Sequence, residues 1–492
     1  MAAGLWLTPF YIRALGPHDY GIWIVALQVL NFLLLCDFGI IAVAPRNVAH
    51  AHGLERSDVL SPRLTVLVGQ TMKVVVVQTG VIAVGALGLF LFRPAGQPGL
   101  RGPIGLILLV FVLSYPLRLF PAVLQGLQDL KFLGQLRICL WALSTTVAVV
   151  LLVLGERFWA LAVGWCIQQI GHDLVAFYRM SRLRPDLLPS VAWKQAGPLN
   201  WRWFTRGFWV SVGQFAYLLA AGTDVLISGR ILGSATVVIY SCTSKLVTVL
   251  QNQPQTLAAV ALPGLSQMKT SESPERILRA MGSLSQAMLA LAGMVFCVVL
   301  CVNQSFVQAW VGAQFFGGIK LTVVMLLNFL VRQIDYTLAL VLFALGYEKF
   351  ITIRLLADGV VSVTVAIILA SHWGLEGVAL GFLCGAVLVA IPADIFGLTR
   401  DFQISGRKLF RPHFRYLWRA LFVGAISVAL GHYFGTANLL HVAGLAVLTV
   451  LIYAGVVLPH LWKGPLGPYI RSVASPLFAS IRRVNVSNLD RV

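Results

Sequence analysis

The chain has 492 residues, of which 58% are apolar and only 11% are Asp, Glu, Lys or Arg, under half the roughly 25% charged fraction of a soluble domain. Apolar runs of about twenty residues recur from end to end, which excludes a water-soluble globular protein and leaves no polar stretch long enough for a separate soluble domain. The excess of 37 Lys plus Arg over 18 Asp plus Glu would point to nucleic acid in a soluble protein, but in a membrane chain it is the ordinary enrichment of cytoplasmic loops, so no nucleic-acid partner is expected.

The opening MAAGLWLTPFYIRALG has no charged n-region, and its apolar part is about a dozen residues, shorter than the roughly twenty needed to span. It reads as a short or clipped first span, not a cleavable signal. Apolar runs between turn and charge signals then place spans near 1 to 13, 20 to 43, 64 to 92, 103 to 125, 137 to 154 and 158 to 178. The second half gives 207 to 229, 236 to 262, 281 to 302, 318 to 345, 352 to 370, 375 to 398, 417 to 434 and 441 to 462. The expected fold class is therefore an all-α polytopic membrane protein of about fourteen transmembrane helices.

An even number puts both termini on one side. Of the 37 basic residues, six (Arg13, Arg93, Arg101, Arg157, Arg230, Lys320) fall on or flank loops after odd-numbered spans and four lie deep inside spans, leaving 27 on or flanking the loops and tail of the opposite side. By the positive-inside rule both termini are cytoplasmic. The longest inside loop, 180–206, reads as a linker. It separates an N-terminal lobe (1–179, spans one to six) from a C-terminal lobe (207–399, spans seven to twelve), followed by an extra helix pair (400–462) and a cytoplasmic tail (463–492). The halves look related: RALGPHDYGIW at Arg13 to Trp23 and RILGSATVVIY at Arg230 to Tyr240 share Arg-x-Leu-Gly, then five residues, then Ile-aromatic, at an offset of 217 residues. Repeated halves place a substrate path at their mutual interface.

The seven cysteines (Cys36, Cys139, Cys166, Cys242, Cys297, Cys301, Cys384) lie singly in apolar segments, with no CxxC and no Cys/His cluster at ligand spacing, so neither a metal nor a cofactor is expected. Four basic residues stand inside spans: Lys73, Arg118, Lys245 and Arg332. Each costs about 2.5 to 3.5 kcal/mol at a helix centre, so each should face a wet cavity or a partner. At about 100° per residue, Ser241, Ser244, Lys245, Thr248, Asn252 and Gln255 form one stripe of the eighth span, with Pro254 able to kink it. Gln214, Tyr217, Ala221, Asp224 and Ser228 form another on the seventh; Ser114, Arg118, Pro121 and Gln125 do so on the fourth; Gln70, Lys73 and Gly80 group on the third. On the tenth, Asn328, Arg332 and Asp335 permit an Arg332 to Asp335 ion pair within the helix. Plainer readings stand beside these: polar groups also glue helices together, Lys73 is near enough to its helix end to snorkel, and Arg332 can be spent on Asp335. Among the acids, Asp37, Asp224 and Asp335 sit deepest and are candidate coupling or counter-ion sites, while His172 beside Asp173 reads as a proton relay or an interfacial hydrogen bond.

The segment TPFYIRALGPHDYGIWIVALQVLNFLLLCDFGIIAVAPRNVA resembles the opening of bacterial polysaccharide-biosynthesis flippases. Its members begin with an apolar helix, an Arg-x-Leu-Gly-x-x-x-Tyr-Gly turn, a second helix and an Asp-x-Gly, here Arg13, Leu15, Gly16, Tyr20, Gly21, Asp37 and Gly39. TDVLISGRILGSATVVIYSCTSKL, Thr223 to Leu246, also looks like the family's seventh and eighth helices. The resemblance implies the multidrug/oligosaccharidyl-lipid/polysaccharide exporter superfamily: two six-helix lobes around a cavity plus a C-terminal pair. The implied substrate is an oligosaccharide (an O-antigen repeat unit of lipopolysaccharide, or a capsule or exopolysaccharide repeat unit) on an undecaprenyl diphosphate carrier. On that reading Lys73, Arg118, Lys245, Arg332, Asn252 and Gln214 are the candidate substrate-binding set. The partners would be the polyprenyl-diphosphate-linked glycan, the lipid bilayer and other glycan-assembly membrane proteins.

Two other readings compete. A multidrug/cation antiporter or peptidoglycan-precursor flippase keeps the fold and changes the cargo, though a drug pump should show an acid-dominated cavity. A membrane-embedded glycan polymerase or ligase needs general acid/base or metal groups on a sizeable outer loop. The longest outer loop, about Asn303 to Gly317, carries no paired carboxylates, so a transporter is expected and not an enzyme.

Overall fold

The structure, a computed structural model, describes residues 2–33, 40–56, 64–91, 98–198, 202–271, 273–402, 406–436, 438–463 and Gly467. Among these residues every regular element is helical. In chain order they are α1 (Ala2–Leu15), α2 (Pro17–Leu33), α3 (Ile40–Arg56), α4 (Leu64–Leu91), α5 (Arg101–Ser114), α6 (Leu119–Gly126), α7 (Leu130–Val153), α8 (Arg157–Leu183), α9 (Pro189–Gln195) and α10 (Arg202–Ile227). The series continues with α11 (Ser234–Thr243), α12 (Lys245–Leu250), α13 (Asn252–Ser271), α14 (Pro274–Trp310), α15 (Ile319–Ala344), α16 (Glu348–Gly385), α17 (Ile391–Phe402), α18 (Gly406–Phe434) and α19 (Leu439–Lys463).

Nine segments among the described residues are long and apolar enough to cross a membrane, and the chain is a multi-pass membrane protein. Fourteen spans were expected, and each difference has a physical cause. The helix α1 has 14 residues and α2 has 17 before the described stretch ends. Polar residues such as Gln168, Gln169, His172 and Asp173 dilute α8. The eighth expected span is broken into α11, α12 and α13. The eleventh and twelfth run together in Glu348–Phe402, which bends at Gly374, where φ is 57° and ψ −135°.

The chain divides into two compact units, Phe10–Leu218 and a second made of Met1–Pro9 with Leu219–Val492. In the first, Leu119, Phe120, Val123 and Leu124 of α6 pack with Val48, Val68, Met180 and Leu187, and a second cluster gathers Val74, Val75, Ile82, Phe111 and Tyr115. The helices α7 and α8 form an antiparallel hairpin through a turn at Gly155. Gly164 lies against Ser144 and Ala148, and Gly171 against Leu140, which fixes the register. The Arg-x-Leu-Gly repeat is one turn used twice: Gly16 (φ 82°) separates α1 from α2, and Gly233 (φ 97°) precedes α11. A left-handed φ ends a helix without strain only at a residue lacking Cβ. Arg157 fastens the first turn, donating to the Leu15 carbonyl at 3.1 Å and lying 3.3 Å from Asp19.

In the second unit the 37-residue α14 is packed on by α15, α18 and α19, with Met288, Ala292, Cys297 and Val299 buried. At about 1.5 Å per residue it is far longer than a hydrocarbon core of about 30 Å, so its charged start at Glu275, Arg276 and Arg279 lies beyond the span. The two arms of α16 meet through small residues four apart: Gly377, Gly381 and Gly385 lie against Leu369–Ala370, Ala366 and Ser362. Lipid supplies no hydrophobic drive between helices, so close backbone approach through such residues is what holds the arms together.

A Cβ at residue 381 would meet the backbone of Ala366. Gly381→Val should therefore lower stability by about 1 to 3 kcal/mol, read as a lower melting temperature of the purified protein. Gly444→Ala, where a Cβ meets nothing within 4 Å, should leave it unchanged or slightly higher; equal melting of the two variants would contradict the packing described.

Candidate functional site

The seam in α16 dictates where its charges sit. Asp358 lies one turn before Ser362, whose hydroxyl donates to Asp358 Oδ1 at 3.1 Å, and the missing side chain at Gly385 leaves room for both. Arg332 of α15 reaches into this space. Its Nη1 donates to Asp358 Oδ2, and its Nη2 to Asp358 Oδ1 at 3.1 Å and to the Phe382 carbonyl at 3.3 Å. One turn earlier on α16, Arg354 Nη1 donates to Asp335 Oδ1, and Arg354 Nε stands 3.1 Å from Asp394 Oδ1 of α17. Asp358 and Asp394 are fully buried, and Arg354 is 6% exposed.

Three carboxylates thus face two guanidinium groups. Although Arg354 Nε is close to Asp394, the pair is not aligned as a hydrogen bond, and both Asp394 oxygens have no hydrogen-bond partner among the described residues. Asp335 is shared: Arg332 lies 3.8 Å away within the helix, while Arg354 is the nearer partner. The intrahelical Arg332–Asp335 pair expected from the sequence is present, but Asp358 is the stronger partner of Arg332. Arg354 stands two residues inside the eleventh expected span, where a basic residue reads as a flanking charge. The i, i+4 spacing of Arg354 and Asp358 was the available signal.

Lys73 is spoken for. Its Nζ donates to the Gly197 carbonyl and lies 5.4 Å over the Trp193 ring. One turn earlier Gln70 donates to the Ala196 and Pro198 carbonyls, the latter at 2.7 Å, and Gly69 lies against the Ala192 backbone. These contacts clasp α9 and the chain just after it to α4. Nearby, outside the spans, the Arg184 fork holds the Asp186 carboxyl below its usual range.

Arg118 and Lys245 differ from those two: neither has an acidic partner among the described residues. Arg118 ends the 3-10 turn Tyr115–Arg118, which Pro116 and Pro121 impose by withholding backbone N–H groups. Its guanidinium is 5.9 Å from the Tyr115 ring, and its Nη1 is buried without a hydrogen bond. Lys245 opens α12 and is half-buried. Pro254 cannot donate to the Leu250 carbonyl, and the helix breaks next door at Gln251; at the other break, Asn303 Nδ2 donates to the Thr243 carbonyl at 3.0 Å. The straight polar stripe expected on this span is therefore interrupted. Ser244 and Thr248 turn their hydroxyls back to the carbonyls of Ser241 and Lys245.

Asn252 and Gln214 are half-buried, on α13 and α10. Asp224, also half-buried, accepts from the Val225 N–H at 2.9 Å and from the Tyr240 hydroxyl. Asp37 lies outside the described residues, so its place in a site is not described.

The fold is that of transporters of the MOP superfamily. A structure titled lipid II flippase MurJ, inward closed, superimposes with a TM-score of 0.63 at 10% identity, covering 94% of this chain and 98% of that one. An inward-facing multidrug resistance MATE transporter of that superfamily gives 0.64 at 14% identity, with 83% and 95% covered. A MOP superfamily transporter from Pyrococcus furiosus, described as having a binding pocket of reverse polarity, gives 0.51 at 14% identity, with 81% and 92% covered. In sequence, residues 2–269 match the polysaccharide biosynthesis protein family, and the chain belongs to it. It is also 21% identical over 418 residues to EpsK, an uncharacterised membrane protein of Bacillus subtilis (strain 168), covering 82% of this chain and 80% of that one.

Removing one member of the buried ion network strands its partners. Arg354→Met should cost about 3 to 5 kcal/mol, and adding Asp394→Asn should recover part of the loss. Melting of both variants in detergent checks this; a single variant as stable as the parent would contradict the network.

Proposed function

We propose that the chain moves a polyprenyl-diphosphate-linked oligosaccharide from the cytoplasmic to the periplasmic leaflet of a bacterial inner membrane by alternating access, with no covalent chemistry of its own. One observation carries this reading: Arg118 and Lys245 are half-buried cations with no acidic partner among the described residues. A buried charge left unpaired is costly unless it meets water or a counter-ion, and a diphosphate is an anion able to compensate such a charge. Arg offers a planar fork to phosphate oxygens and Lys a compact charge. Asn252 and Gln214 add neutral donors and acceptors suited to sugar hydroxyls. Membership of the polysaccharide biosynthesis family and the fold shared with a lipid II flippase support the same cargo class.

The network around Arg332 has a different part. It carries one more acid than base, so a proton or monovalent cation neutralises it, and we assign the coupling role there, with Asp335, and to Asp224. That acid excess also favours a second reading, export of cationic drugs as in the multidrug transporters of this fold. The two separate on charge: a drug pump loses transport when acids are neutralised and tolerates neutral residues at 118 and 245.

Arg118→Gln and Lys245→Ala should each reduce surface glycan export about tenfold or more, by loss of a charge-assisted contact, with protein level and membrane insertion kept. Deleting the gene should accumulate a complete lipid-linked repeat unit on the inner leaflet. Undiminished export in both variants would refute the proposal, and loss of a single sugar, or unpolymerised units at the surface, would point to an enzyme.

A further inference from the structure

The hairpin of α7 and α8 holds a recess of about 290 Å³ lined by Arg137, Leu140, Trp165, Gln168, Gln169 and His172. Trp165, Gln168, Gln169 and His172 follow i, i+3, i+4, i+7 spacing and share one face of α8. Arg137 and His172 stand 18 and 17 residues from Gly155 on the two arms, about 26 Å along the hairpin. That is nearly the full depth of a hydrocarbon core, so the recess lies at headgroup level, on the cytoplasmic side in the orientation read from the loop charges.

The donors and acceptors define what fits. Asp173, which is buried, accepts from His172 Nδ1 at 3.3 Å and from Gln169 Nε2 at 3.1 Å. A carboxylate only accepts, which orients both side chains. Gln169 Oε1 and, in the neutral ring, His172 Nε2 are thereby left as acceptors, and His172 Nε2 is buried with no hydrogen-bond partner among the described residues. Arg137 and Gln168 are exposed, and Arg137 has no acidic partner among the described residues. A fully ionised phosphate or a phosphodiester fits Arg137 but brings no hydrogen for those acceptors. A sugar hydroxyl does, and Trp165 with Leu140 offers an apolar wall for the ring's C–H face. Ile138 and Leu174, next in the chain to Arg137 and Asp173, are exposed, and the volume, at the small end of ligand pockets, suits one sugar with its phosphate.

We infer that this recess is a docking site for a glycosylated phosphate headgroup, with Arg137 on the phosphate and Gln168, Gln169 and His172 on the sugar. It rests on the flippase reading only for why such a lipid is presented there. The full chain in phosphatidylcholine nanodiscs, free of sugar detergent, should bind radiolabelled farnesyl diphosphate carrying one N-acetylglucosamine. Arg137→Gln should weaken that binding about tenfold or more, and Gln168→Leu, a change at an exposed position, should weaken it measurably. Free glucose 1-phosphate should compete about tenfold better than inorganic phosphate. The site is refuted by absent binding to monodisperse protein, or by equal binding of parent and both variants. Equal competition by inorganic phosphate, or loss of binding when phosphatidylglycerol is added to the discs, overturns the sugar assignment. Binding that persists as expected, while cells lacking the chain still export glycan, would leave the site intact and sink only the transport reading.

Discussion

An ionised side chain inside a membrane must be paired, hydrated or able to reach the boundary, and this one constraint accounts for most of what distinguishes the chain. It sorts the basic residues into three physical states. Arg332 and Arg354 are locked to Asp335, Asp358 and Asp394. Lys73 reaches backbone carbonyls at the helix edge. Arg118 and Lys245 have no acidic partner among the described residues, which is why they, and not the better-satisfied cations, are assigned to an anionic cargo. Hydrogen-bonded charges hold helices in place, whereas uncompensated ones are available to something that arrives and leaves.

The positions of the charges depend in turn on backbone devices. Asp358 reaches Arg332 because Ser362, Ala366 and Ala370 lie against Gly385, Gly381 and Gly377. Arg118 is turned out of the regular helix by Pro116 and Pro121. Lys245 begins a short helix because the span is broken on both sides of it. In each case a residue lacking a side chain or an amide hydrogen decides where a charged one can go.

This explains what the sequence disclosed. Helical membrane architecture was legible, since burial in lipid demands long apolar runs and leaves a strong pattern. The family was legible in the turn around Gly16, where a left-handed φ restricts the residue type. The partners of the charges were less so. Arg332 with Asp335 was visible because both lie on one helix, but Asp394 is 40 residues from Arg354 in the chain, and nothing local announces a tertiary ion pair. Arg137 read as a flanking charge because the helix was expected to begin there; it begins two turns earlier, at Leu130. The spacing of Gly377, Gly381 and Gly385 was in plain sight and predicts a close helix contact, though not with which partner.

That glycine and alanine contact has a mechanical consequence. Neither residue has rotamers to exchange, so the two arms of α16 cannot absorb a push by repacking and behave as a stiff strut. Compliance shifts to the five-residue π turn at Ala386–Ala390, where the backbone ladder is already out of step. A force applied along the strut would flex the chain there, directly ahead of Asp394.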